Sequence, residues 1–302
     1  MNVRDLLGRN RAADLPRQEL GITQLLLLLE RGVARVLLYL IVAAGAIFFS
    51  IPFAWMLSTS VKPSYQIFVM PPVWIPEKFI WSNFVKPWSY LPWLTYYKNT
   101  CILVANGVIA TLVSSSIVAY AFARLRFRGR AIMFLLVLSA MMLPMHVTLI
   151  PQYVLFARLK WVNTLKPLII PFWFGSAFNI FLLRQFFMTI HPELDDAAKI
   201  DGCGILGIFW RIILPLAKPA LAVVAIFEYT YQWNDFFGPL IYLNSPKLFT
   251  VSLGLQSMQT RTEIQVSHTM AMTVISIIPV LALFFLAQQR FIQGIVLTGI
   301  KG

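Results

Sequence analysis

Six apolar runs, each near or above the length of a bilayer crossing, constrain this chain more than any other feature. They cover residues 36–58, 99–123, 131–156, 167–188, 216–243 and 268–290. A spanning helix needs about 20 apolar residues, whereas a membrane β-strand uses about 10. Backbone polar groups in lipid must be satisfied within the structure, so exposed irregular segments and open sheets are ruled out there. The expected fold class is all-α, a polytopic membrane protein with six transmembrane helices. Charged residues make up 12% of the chain, against roughly 25% in a soluble domain.

Charge then orients the spans. A net charge of +13 would suggest nucleic-acid binding in a soluble protein. Here the basic residues follow topology instead, and no nucleic-acid partner is expected. With the N-terminus inside, 16 of the 25 Lys and Arg fall on the inner side. The positive-inside rule therefore places both termini in the cytoplasm. Arg124, Arg126, Arg128 and Arg130 form the sharpest inner turn. Their expected role is topology and contact with anionic membrane lipid.

The expected organisation has three parts. Residues 1–35 form a cytoplasmic N-terminal, interfacial segment, and residues 36–290 form the six-helix transmembrane domain. Residues 291–302 are a cytoplasmic tail. The leucine run Leu25–Leu29 ends at Glu30-Arg31 and is too short for a signal peptide; an interfacial helix fits better. The outer loop 60–98 is rich in Pro and Trp. It reads as an ordered cap near the membrane surface, serving either as a rigid aromatic connector or as a contact for an external partner.

Polar residues inside the runs are the next candidates. Small residues Thr111, Ser114, Ser115, Ser116 and Ala119 favour close helix packing in the second run. Pro144 and Pro151 predict a kink in the third. His146 between them is either a helix-interface hydrogen bonder or a proton site. Glu228, Trp233, Asn234 and Asp235 are candidates for lining a pathway, since ionisable groups at membrane depth face interiors or cavities. The alternative is that Glu228 and Asp235 brace helices. No phosphate-binding glycine loop occurs. Cys101, Cys203 and the scattered His146, His191 and His268 show no metal-ligand spacing. The residues give no support to an enzyme.

Residues 189–216 are a polar island between two apolar runs. Pro192 suits a helix start, and the acids after it suit a helix N-terminus. Leu194, Ala197, Ala198 and Asp201 share one side at 3–4 spacing, and Gly202 and Gly204 permit a turn. A second amphipathic stretch, 205–213, leads to Pro215. A short helix presented in this way can enter a groove on a soluble partner.

The island resembles the cytoplasmic loop of ABC importer permeases. That pattern is Glu-Ala-Ala, three residues, Gly, nine residues, then Ile-x-Leu-Pro. This chain has Asp196-Ala197-Ala198, Gly202 and Ile212-Ile213-Leu214-Pro215 at the same spacings. It departs only at Asp196, where the family has Glu. Trp55–Ser60 with Lys62, Ala119–Arg124, Phe127–Arg130, Phe181–Phe187, Trp233–Phe236 and Gln289–Gly302 extend the resemblance over nearly all of the chain after residue 35. Together they resemble the carbohydrate-uptake subgroup, specifically the smaller six-span permease of a maltose/glycerol-phosphate-type pair.

The resemblance implies a permease subunit of an ATP-driven importer in a bacterial or archaeal cytoplasmic membrane, forming half of the pathway for a sugar or sugar-like solute. It implies a cytoplasmic ABC ATPase dimer, a second permease and an extracytoplasmic solute-binding protein as partners. ATP and Mg would be bound by the ATPases, with no cofactor in this chain. Leu194, Asp196, Ala197, Ala198, Asp201 and Gly202 would form the ATPase-coupling helix and its turn. The alternative is an ion-coupled secondary transporter or channel subunit using Glu228, Asp235 and His146.

Overall fold

The computed structural model describes residues 17–259 and 266–299, with side chains described over 32–259 and 266–288. The regular structure among them is helical, with no strand. Contacts divide the chain into two units, Met1–Ser58 and Thr59–Gly302, a boundary inside the permease domain expected at 36–290. In the first unit, helix α1 (Arg17–Ser60) holds the first apolar run. Residues 17–35, expected as an interfacial lead-in, continue into that run without a break. Residues 1–16 lie outside the described residues.

The second unit is organised around α2 (Trp93–Arg124), which packs on α5 (Ala177–Thr189) and α8 (Lys218–Asn234). The small residues explain this. Thr111, Ser115, Ser116 and Ala119 are buried, as the sequence pattern suggests, and so are Gly107 and Ala110. Small side chains let helix backbones approach where lipid supplies no hydrophobic drive. Two hydroxyls of this stretch, on Ser114 and Ser115, find partners on neighbouring elements. The Ser114 hydroxyl contacts the Phe172 carbonyl at 3.1 Å, and the Ser176 amide donates to Ser115 Oγ at 3.2 Å.

Among the described residues, four helical stretches are long and apolar enough to cross a membrane: Gly32–Ser60, Trp93–Arg124, Lys166–Thr189 and Val266–Gln288. Two bent pairs bring the number to six if each counts as one span. The first is α3 (Arg130–Met141) with α4 (Met145–Arg158), bent by 97°. The third run is thus broken rather than merely kinked. Pro144 lacks an N–H and disfavours helical geometry in the residue before it, whereas Pro151 sits inside a helix that continues. The second pair is Ile205–Leu216, here α7, with α8, bent by 77°.

The fifth run also ends earlier than expected. Its helix stops at Asn234, and Phe237–Tyr242 form a separate short helix, α9. The break carries Asp235, and Pro239 follows within α9. Beyond α10 (Val251–Gln259), α11 (Val266–Gly299) runs through most of the expected tail at 291–302; residues 300–302 lie outside the described residues.

The connection 61–92 is built from short 3-10 turns at Ser64–Gln66, Trp81–Phe84 and Lys86–Ser89. Buried Asn83 holds its start by donating to the Ser60 and Lys62 carbonyls at 3.0 and 3.1 Å. The Trp93 indole donates to the Pro87 carbonyl at 3.0 Å. It is an ordered cap, with Phe68, Trp74, Ile75 and Trp81 exposed.

Candidate functional site

The polar island folds as α6 (Glu193–Ile200), a turn, and α7. Glu193, Asp195 and Asp196 occupy the first turn of α6 and Lys199 the last, the arrangement the helix dipole favours. Gly202 ends the helix with φ +79°. Its amide donates to the Lys199 carbonyl, and the next amide, of Cys203, donates to the Ala198 carbonyl at 2.8 Å. This is a Schellman turn, whose left-handed position favours glycine. A Cβ at Gly202 would meet nothing within 4 Å, so conformation rather than space selects glycine there.

Three bonds from the spans hold the island. The Tyr120 hydroxyl donates to the Ile205 carbonyl at 3.1 Å. Arg124 donates from Nη2 to the Ile190 carbonyl at 2.6 Å. Its Nη1 lies 3.6 Å from Asp195 Oδ2, with both side chains buried. Below them Ala198, Ile208, Phe209 and Ile213 join one core with Ala119, Leu183, Phe187 and Val224. The Phe209 ring lies 5.0 Å from that of Tyr120. α7 makes a π-helical turn at Phe209–Ile213 before the bend into α8.

The sequence candidates separate by helical side. Leu194, Asp196, Ala197, Asp201 and Gly202 face outward, but Ala198 is only 7% exposed and packs inward. Ala198 therefore does not share the outer side with Leu194 and Ala197, as the 3–4 spacing suggested. The Asp195–Arg124 pair sets the rotation of α6 and turns Ala198 into the core. Neither Asp195 nor Arg124 stood out in the sequence as a positioning residue. Their signal was one acid on the inner side of a short amphipathic helix and one basic residue at the end of a span. The outer surface also presents Ile200, Ile205, Leu206 and Trp210, with Ile200 87% exposed. Asp196 and Lys199 pair in the open at 2.8 Å, and this partner holds the Asp196 carboxyl below the ordinary carboxylate range.

A second arrangement surrounds the break between α8 and α9. An open cavity of about 870 Å³ lies between the start of α4, α8, α9 and α11. Phe227, Tyr231, Phe237 and Phe284 give it aromatic walls, while His146, Thr230, Asn234 and Asp235 supply polar groups. Asp235 Oδ1 accepts from the Gly238 amide at 3.1 Å, which caps α9. His146 lies at the cavity with its ring 6.2 Å from that of Phe237.

Two of the four pathway candidates, Asn234 and Asp235, line this cavity. The other two turn away from it, each towards a neighbouring helix. Glu228 is 5% exposed, and its Oε1 accepts from Gln232 Nε2 at 3.0 Å. A Cβ at Gly107 on α2 would meet the Gln232 side chain at 2.5–2.8 Å, so the two helices touch at this point. Buried Trp233 donates its indole N–H to the Ser276 carbonyl of α11 at 3.0 Å. Tyr231, absent from the sequence candidates, lies one turn before Asp235 and joins the cavity wall.

The family model described as "Binding-protein-dependent transport system inner membrane component" matches residues 112–296. A putative ABC transporter permease protein of Caldicellulosiruptor sp. (strain Rt8B.4) is 34% identical, over 87% of this chain and 96% of that protein. The arabinooligosaccharides transport system permease protein of Halalkalibacterium halodurans is 36% identical, over 75% of this chain and 81% of that protein. Among solved structures, a bacterial ABC transporter involved in import of the acidic polysaccharide alginate has a similar fold. Its TM-score is 0.77 at 22% identity, covering 86% of this chain and 97% of that chain.

Proposed function

The chain belongs to the family of binding-protein-dependent transport system inner membrane components. It is the permease subunit of an ABC importer, and from that premise we propose that its solute is a saccharide and that α6 is its joint to a cytoplasmic ATPase. The complex would hold this chain, a second permease, an ATPase dimer that binds ATP and Mg, and an extracytoplasmic binding protein. This chain would lack catalysis of its own. Both termini and the island would lie in the cytoplasm, as the distribution of Lys and Arg favours.

The observation that carries the coupling reading is the division of labour within α6. One side is locked to α2 through Asp195 and Arg124; the other presents Leu194, Ala197 and Asp201 outward. A rigid helix with a free outer side can be pushed by a partner and pass that motion to the spans. ATP would shift the pathway only through a difference in binding energy between its two states. The saccharide reading rests on the cavity at the α8–α9 break. Aromatic walls with a few convergent polar groups suit a ring with apolar faces and hydroxyl edges. The arabinooligosaccharide and alginate systems named above point the same way.

Reconstitution with the second permease, the ATPases and the binding protein tests this reading. We expect ATP hydrolysis to rise with sugar-loaded binding protein, and sugar uptake to require ATP. Gly202→Asp should separate hydrolysis from uptake or prevent ATPase assembly. Uptake driven by an ion gradient with no ATPase present would overturn the reading.

A further inference from the structure

A second, smaller cavity lies on the island side of the molecule, away from the α8–α9 cleft. It measures about 200 Å³ and is bounded by Phe122, Arg130, Phe134, Leu135, Leu138 and Arg184. These come from the end of α2, the first three-quarters of α3 and the middle of α5. Two guanidinium groups therefore share one small, mostly apolar space, and each lies within electrostatic reach of the other.

The arginines are held in place but not neutralised. Arg184 donates from Nε to the Phe122 carbonyl at 3.2 Å, and its guanidinium stacks 4.1 Å from the centre of the Phe134 ring. Arg130 donates from Nη1 to the Leu125 carbonyl at 3.1 Å. Carbonyls and a ring orient a cation without cancelling its charge. The ion pairs among the described residues are Arg124–Asp195 and Lys199–Asp196, and neither engages Arg130 or Arg184. The cavity also adjoins the start of α3, which no side chain caps and whose first turn has no acid. The first amides of a helix have no partner within it, and they add to a positive local field.

Two like charges brought together in an apolar recess call for an anion. The surroundings specify which kind. Beyond Arg130, α3 exposes Ile132, Met133, Leu135 and Leu136, each more than half exposed. The helix is the first limb of a bent pair that is long and apolar enough to count as one membrane span. Apolar side chains running outward from a cationic recess match a phosphate joined to acyl chains. They do not match a soluble anion or an acidic peptide. Arg126 and Arg128, exposed in the preceding turn, can attract such a lipid but do not line the recess.

We propose that the Arg130–Arg184 recess binds the headgroup phosphate of an anionic phospholipid, with an acyl chain laid along Leu135 and Leu138. Each guanidinium offers planar N–H donors that suit phosphate oxygens, and an interhelical basic pocket at the inner membrane boundary is a known form of lipid site. The bound lipid would tie the start of α3 to α5 beside the anchored island. This sharpens a general expectation of lipid contact by the 124–130 turn into a site with a floor and two walls.

The assembled importer is washed in neutral detergent, exposed to equal phosphatidylglycerol and phosphatidylcholine, and its retained lipid measured by mass spectrometry. The wild type should keep phosphatidylglycerol over phosphatidylcholine. Arg130→Gln with Arg184→Gln should lower that retention by about tenfold. Arg126→Gln with Arg128→Gln should leave it unchanged. Leu138→Trp, which fills the recess and keeps both arginines, should lower it as the double arginine variant does; this variant decides the matter if the arginine variant fails to assemble. Equal retention of both lipids, equal loss in the Arg126 and Arg128 variant, or displacement by millimolar inorganic phosphate would overturn the proposal.

Discussion

The island and the α8 stretch both place acids beside apolar helices, and each sorts its side chains by helical phase. In α6, Asp195 and Ala198 turn into the protein while Asp196 and Ala197 turn out. In α8, Glu228 and Gln232 turn towards α2 while Tyr231 and Asn234 face the open cavity. The inward acids meet different partners. Asp195 meets a cation on another element, Arg124 of α2. Glu228 meets an amide on its own helix, four residues on. A bond between elements fixes where α6 sits and how it is rotated. A bond within one helix only makes a carboxyl tolerable at depth, and the close approach at Gly107 does the joining. Neighbouring acids of the same type thus hold opposite positions, and the partner each finds separates a positioning residue from an available one.

The largest test of this contrast is removal of the inward acid of the island. Asp195→Ala leaves Arg124 buried without its partner, and breaking a buried pair costs about 3–5 kcal/mol. We expect loss of the assembled complex, or a large drop in its melting temperature. Arg124→Met combined with Asp195→Leu removes both charges and should recover much of that loss. A double variant as unstable as the single one would mean that the pair is not the anchor.

The spans were legible because length and apolarity alone decide them, and so was the helix–turn–helix of the island, because Pro192, the acids and Gly202 are local signals. The breaks were harder. Pro144 announced a kink, but the 97° angle depends on what α3 and α4 pack against. The stop at Asn234 fell inside an apolar run, since hydropathy does not register a carboxylate capping the next helix. Side assignment was hardest. Spacing placed Ala198 with Leu194 and Ala197, and only the contact between Asp195 and Arg124, 71 positions apart, reveals which side is inward. The same holds for Glu228 and Trp233, which face neighbouring helices that their own spacing does not identify.

An intermediate effect is expected at the break. Asp235 accepts the Gly238 amide, so Asp235→Ala should cost about 1 kcal/mol, as for a lost helix cap. Asp235→Asn keeps an acceptor and should melt close to the wild type. Solute uptake then separates bracing from lining. Lower uptake by the stable Asn variant indicates that the charge acts in the cavity, and unchanged uptake indicates that Asp235 only braces α9. Equal destabilisation by Ala and Asn would instead mean that charge, rather than the cap, holds the break.

The smallest effect on stability belongs to the outward acid of the island. Asp196 is exposed and its ion pair among the described residues is with Lys199, three residues on, and exposed pairs of this kind contribute little. Its carboxyl is held below the ordinary range by that partner. A lowered folded-state value means that the pair's contribution is present above the ordinary carboxylate value, about pH 4, and is lost as pH falls through the lower folded one. Between pH 6 and 8, roughly two units above that ordinary value or more, the contribution is constant. Asp196→Ala should therefore leave the melting temperature and its pH profile unchanged across this range, in contrast to Asp195→Ala. Its effect should appear only with the ATPase present, as weaker binding-protein-stimulated hydrolysis. Asp196→Glu keeps the charge and lengthens the reach by one methylene, so it should retain stimulation. A drop in melting temperature for Asp196→Ala without the ATPase would erase the distinction between the two neighbouring acids.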